Sequence, residues 1–267
     1  MSPGGLRNTA LAWGSRAHRH WLGRSFGTAV VLLYHRVAAL DGAQDPERLC
    51  TSPKLFAAQL AEFSARYQLM ALGDAVTLLD GGRHLPEKTL CLTFDDGYRD
   101  NFTVARPLLA QAEAPTTFFV ASAGLDERYH YPWEQPAPEL YPHVTAGLLA
   151  DVARDTELVE IGGHTHTHPR LAELSADRQR AEIITNRDRL TEICGYAPQV
   201  FAYPFGQPGD FDETSVGLVR AAGYRGAACT TAGILSWRSD RFRIRRIDVH
   251  TLAPDDACQV IDKTFSY

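Results

Sequence analysis

Short apolar runs rich in β-branched and aromatic residues recur along the chain, at Ala29–Tyr34, Thr89–Phe94, Thr116–Val120, 158–161, 200–203, 226–229 and 242–249. These runs read as buried strands. Helical stretches lie between them. Residues 55–67 follow a Ser52-Pro53 start and carry Leu55, Ala58, Leu60 and Phe63 on a rough apolar face, and Ala176–Cys194 runs to a natural stop at Gly195. Strands alternating with helices imply an α/β fold with a parallel sheet, closed or nearly closed on itself. The expected architecture is a single-domain, irregular (β/α) barrel of seven or eight mostly parallel strands over residues 28–267, preceded by a basic extension, 1–27.

Composition narrows the function. With 45% hydrophobic and 22% charged residues in a chain of 267, and no low-complexity tract, this is globular material rather than a disordered or collagenous chain. Lys plus Arg number 27 against 32 Asp plus Glu, a net charge of −5, which is the wrong balance for tracking phosphates, so no nucleic-acid partner is expected. Five cysteines stand apart without a C-x-x-C pair, and the odd count favours a reducing compartment. No apolar run is long enough to cross a bilayer. Arg7, Arg16, Arg19 and Arg24 interrupt the first 27 residues where a secretory signal would need an apolar stretch, so the expected location is cytoplasmic.

Two segments carry chemistry. Thr93-Phe94-Asp95-Asp96-Gly97 ends an apolar strand in adjacent carboxylates, which share one site only if the chain turns at once, as Gly97 permits. Taken alone, the tripeptide Asp-Asp-Gly is also an ordinary turn. His164-Thr165-His166-Thr167-His168-Pro169 packs three imidazoles into five residues, a donor set suited to a divalent metal such as zinc. On an extended segment all three histidines share a face, so periodicity leaves open which two bind. Two of them with one aspartate form a three-ligand site with positions left for water and substrate. The segment 123–145, with Tyr129-His130-Tyr131-Pro132-Trp133 and further prolines, is long for a connection and reads either as a substrate-side loop or as a surface insertion.

The ordered pair Thr93-Phe94-Asp95-Asp96-Gly97 and His164-Thr165-His166-Thr167-His168 resembles the polysaccharide deacetylases of the NodB-homology type. That resemblance implies a divalent metal, zinc first and cobalt or nickel as alternatives, held by Asp96, His164 and His168, with Asp95 as general base and His166 a bystander. The third family motif departs from the usual pattern: Ala202-Tyr203-Pro204-Phe205-Gly206 lacks the arginine that braces the catalytic aspartate. A subgroup with the same spelling carries an Arg-Ile pair on its last strand, here Arg246-Ile247, and the backbone N–H of Phe205 would face the oxyanion. Val31-Leu32-Leu33-Tyr34-His35-Arg36-Val37 is similar to the permuted exopolysaccharide deacetylases, whose first strand ends in the histidine acid, which makes His35 the first candidate and His250 its competitor.

What the resemblance implies is removal of an N-acyl group, acetyl first, from an amino sugar in a polysaccharide, a lipid-linked sugar or a glycoside. A non-sugar amide hydrolase and an inactive carbohydrate-binding relative remain as alternatives, because fold motifs define a reaction centre and not an acceptor. The extension, with Trp13, Trp21 and no acid before Asp41, suits peripheral contact with an anionic membrane face, or packing across the barrel base.

Overall fold

The computed structural model describes residues 27–40, 44–126, 128–135 and 137–266. The membrane-contact expectation for the basic extension falls outside them. The strands in chain order are β1 (Ala29–Tyr34), β2 (Arg36–Val37), β3 (Cys50–Thr51), β4 (Gln68–Leu69), β5 (Thr89–Phe94), β6 (Thr116–Val120), β7 (Val159–Gly163), β8 (Val200–Ala202), β9 (Gly226–Ala228), β10 (Ile234–Leu235) and β11 (Ile247–Asp248). The α-helices are α1 (Pro53–Arg66), α2 (Leu72–Asp80), α3 (Arg106–Gln111), α4 (Ala146–Val152), α5 (Ala176–Cys194), α6 (Glu213–Ala221) and α7 (Pro254–Phe265). Ser52 caps α1 by accepting from Leu55 N at 3.2 Å, and Gly195 ends α5 in the left-handed region at φ 78°. None of the described helices is long and apolar enough to cross a membrane.

The main sheet runs β10-β1-β5-β6-β7-β8-β9, with β4 beside β5 and β11 beside β1. Eight of its nine strands are parallel to their neighbours and β10 alone is antiparallel. Packing shows that the sheet curls. Ala29 and Val31 of β1 share a buried cluster with Val200 and Ala202 of β8, although three strands separate them in the sheet. The lumen so formed is filled by Leu72, Ala75, Val76 and Leu79 of α2. Alternate β1 residues, Val30, Leu32 and Tyr34, face outward onto Phe56, Leu60 and Phe63 of α1 and Ile261 of α7. Burial on both faces is why these strands read as continuous apolar runs.

One expected strand is corrected. Residues 242–249 do not form a continuous strand: Ile244 bridges Ala228 beside β9, and only Ile247–Asp248 pairs with β1. The broken segment spans the gap between the first and last parallel strands. Segment 123–145 is no loose insertion either: Tyr131, Tyr141 and Glu134 are buried, and its aromatics pack with Tyr98.

Candidate active site and metal centre

The functional side chains collect where parallel strands end, as expected for a barrel. His35 follows β1, Asp95 and Asp96 follow β5, His164 and His168 follow β7, Phe205 follows β8 and Thr230 follows β9. All seven line one cavity of about 220 Å³, together with Glu47, Leu49 and Trp133.

The turn after β5 is sharper than Gly97 alone would make it. Asp96 at φ 72° and Gly97 at φ 74° are both left-handed. Thr165 (62°), His168 (60°) and Phe205 (60°) share that conformation, which non-glycine residues rarely adopt. Such strain persists where the surroundings hold it, and here it aims side chains into the cavity.

The two aspartates meet different partners. Arg246 donates through Nη1 and Nη2 to Asp95 Oδ1 and Oδ2, each at 2.7 Å, a fork that fixes the carboxylate plane. The guanidinium is itself held by Cys229 O at 3.0 Å and Thr93 Oγ1 at 3.1 Å, and is 1% exposed. Burial opposes the charge on Asp95, but Arg246, with His164 and His35 behind it, holds the carboxyl below its ordinary value. The brace absent from the third motif thus reaches Asp95 from the residue just before β11.

Among the described residues no guanidinium pairs with Asp96. Its Oδ1 lies 3.3 Å from His164 Nε2 and 3.2 Å from His168 Nε2. Burial again disfavours the charge, and the two imidazoles outweigh it, drawing the carboxyl well below its usual range. His164 Nδ1 donates to Ala202 O at 2.8 Å, which turns Nε2 toward Asp96. That Nε2 is buried and makes no hydrogen bond, so ring and carboxylate converge without bonding to one another. A divalent ion fits these residues: ligand atoms about 2.0–2.2 Å from a shared tetrahedral ion stand roughly 3.3–3.6 Å apart, close to the separations here. Asp96, His164 and His168 are all buried, and each offers a ligand atom within 4.8 Å of the others.

The expectation that three histidines share a face is corrected. Left-handed turns at Thr165 and His168 break the extended run, and His166 Nδ1 pairs instead with Ser122 Oγ at 2.9 Å. Glu182 holds the loop by accepting from His166 N, Thr167 N and Thr167 Oγ1.

His35 lines the cavity, whereas His250 does not. Both ring nitrogens of His250 are engaged, Nδ1 with Asp248 Oδ1 at 2.5 Å and Nε2 with Arg48 O at 2.8 Å, so the competing assignment to His250 is corrected to a strand-end contact. Phe205 sits at the rim, 37% exposed, with its ring against His168 and beneath Arg170. Its N–H is not used by the surrounding turn.

Several contributors escaped the motif reading. Tyr131 donates to Asp96 O at 2.9 Å, and Trp133 packs on His168 at 4.9 Å between ring centroids. The aromatic density of Tyr129–Trp133 was their only signal. Glu47 and Leu49 come from an irregular segment with no periodicity to flag them.

A family model described as polysaccharide deacetylase matches residues 82–227, more than half of the chain. The chain is 23% identical to YxkH of Bacillus subtilis (strain 168) over 220 residues, 82% of this chain and 70% of that protein. It is 29% identical over 119 residues to the peptidoglycan-N-acetylglucosamine deacetylase of Bacillus cereus, covering 44% of this chain but only 36% of that enzyme. Among solved structures, the Streptococcus pyogenes deacetylase PplD in complex with acetate superposes with a TM-score of 0.74 at 23% identity, over 89% of this chain and 99% of that one. That likeness establishes the fold.

Proposed function

The chain belongs to the polysaccharide deacetylase family, and we propose that it removes the acetyl group from the nitrogen of an amino sugar in a polysaccharide or related glycoside, using a divalent metal. The observation that carries this reading is the division between adjacent carboxylates: Asp95 forked on Arg246, Asp96 facing two imidazoles. Two imidazoles and one carboxylate make zinc the first choice of metal.

In this reading Asp96, His164 and His168 would hold the ion, which when bound would acidify water and polarise the amide carbonyl. Asp95, kept ionised and oriented by Arg246, takes the proton from the attacking water. The Phe205 N–H donates to the oxygen on which charge develops. His35, which lines the same cavity, protonates the departing amine. Trp133 and Phe205 supply apolar faces at the mouth, which suit the C–H faces of a sugar ring. The basic extension is proposed to rest on an anionic membrane surface, and the location is proposed to be cytoplasmic.

The test is acetate release from N-acetylglucosamine oligomers by the metal-loaded protein. Release that disappears in Asp95→Asn supports the reading. A loaded, folded wild-type protein that binds the oligomer and releases nothing favours the carbohydrate-binding alternative, and one that neither binds nor cleaves it overturns the sugar assignment.

A further inference from the structure

A second cluster of metal-binding side chains lies beside the first and takes no part in the proposed reaction. His130, Glu134 and His143 each offer a ligand atom, all within 4.8 Å of one another. Glu134 is fully buried and His143 is 8% exposed. His143 Nε2 is 2.9 Å from Glu134 Oε1 and 3.1 Å from Oε2, and His130 Nδ1 is 3.5 Å from Oε2.

Among the described residues no guanidinium or ammonium meets the Glu134 carboxylate. A carboxylate removed from water needs a full countercharge. Among the described residues the ion-pairing partners of Glu134 are these two imidazoles alone; its other contact is the Tyr131 N–H at 2.8 Å. His130 Nδ1 is buried and without a hydrogen bond. A dication serves all three donors together.

The fold makes room for this arrangement. A Cβ on Gly124 would lie 2.6 Å from His143 Nδ1, so glycine there is what lets the ring in. His143 is anchored from the other side by a bridge to Tyr98 and by Val144 N donating to Gly97 O at 3.0 Å, directly after the aspartate pair. His130 and Glu134 flank Tyr131 and Trp133, the residues that touch Asp96 O and His168.

We propose that His130, Glu134 and His143 form a second site for a divalent cation of the zinc class, which staples the segment carrying Tyr131 and Trp133 to the strand end that bears Asp95 and Asp96. Two histidines and one carboxylate suit such an ion, and the half-exposed edge at His130 admits water as a further ligand. The site is independent of the reaction assigned above.

The experiment is zinc content per chain, measured by equilibrium dialysis of the metal-stripped full-length protein and elemental analysis. Wild type is expected to take up one equivalent more than His130→Ala and one more than Glu134→Gln. Asp96→Ala is expected to lose a different equivalent, so that Asp96→Ala combined with His130→Ala loses both. His130 is partly exposed, so its variant should keep the native circular dichroism even if Glu134→Gln does not. A folded His130→Ala protein that binds as much zinc as wild type overturns the proposal. Loss of the same single equivalent in Asp96→Ala and in the combined variant overturns it too, without touching the assignment of Asp96.

Discussion

Asp95 and Asp96 are neighbours in sequence and differ in almost everything that surrounds them. Asp95 is electrically complete within the protein: a buried guanidinium meets it at two points and is fastened by Cys229 O and Thr93 Oγ1. Asp96 is met by imidazoles whose nitrogens converge on it without a hydrogen bond from His164 Nε2. In the proposed reaction the first serves as a charged acceptor and the second as a metal ligand. A single turn, left-handed at two successive residues, gives the neighbouring carboxylates these different partners, which the proposed reaction uses as base and ligand.

Loss of a ligand should break the second half outright. His164→Ala and His168→Ala are expected to lose the ion and lower acetate release beyond about 10³-fold, because the attacking water is no longer acidified. His166→Ala, whose ring faces Ser122, should keep both. Equal metal loss at His166 and His164 would show that the ligand loop is arranged differently.

The next largest effect is on proton transfer to the leaving group. His35→Ala should lower turnover by about 10² to 10⁴-fold, the usual range for a general acid, with metal content unchanged. His250→Ala should cost only a few-fold, since that ring is spent on Asp248 and Arg48. Reversal of the two in a rate assay would reassign the acid.

Arg246→Lys tests the complete half. Lysine keeps the charge and loses the fork, so metal and fold should survive while turnover falls roughly 10- to 100-fold. Arg245, exposed on the other side of the chain, should tolerate the same change. Matching losses at both positions would mean damage to the closing segment rather than loss of a brace.

A smaller effect concerns acid stability of the metal-free protein. Burial raises and Arg246 more than offsets the pKa of Asp95, which ends below its unfolded value. A depressed carboxylate contributes stability above the unfolded pKa, about 3.9, and loses it as pH falls through the folded value. The stability advantage of wild type over Asp95→Asn, measured by urea unfolding, should be constant from pH 7 to about 5 and shrink below about pH 4. An advantage that persists unchanged into strong acid would contradict the pairing.

The strands and both motif segments were legible because their signals are local: continuous apolar runs, two adjacent acids before glycine, and three clustered histidines. Arg246 was legible through resemblance, as a substitute for the arginine absent before Tyr203. What stayed hidden depends on backbone shape or on distant contacts. The choice of His168 over His166 is made by positive φ at Thr165 and His168, for which threonine and histidine give no compositional hint. The break in 242–249 reflects a segment that bridges two sheet edges, Ile244 to β9 and Ile247 to β1, while its residues alternate much as a strand's would. Glu134, from an irregular loop, meets His143 only because the chain folds back through Tyr98.

The division between neighbouring aspartates is tested most directly by metal content and turnover in two isosteric variants, Asp95→Asn and Asp96→Asn, loaded side by side with wild type. Asp96→Asn should lack one equivalent of zinc relative to wild type and be inactive, whereas Asp95→Asn should carry the wild-type amount and be inactive all the same. Loss of that equivalent in Asp95→Asn, or retention of it in Asp96→Asn, would contradict the account.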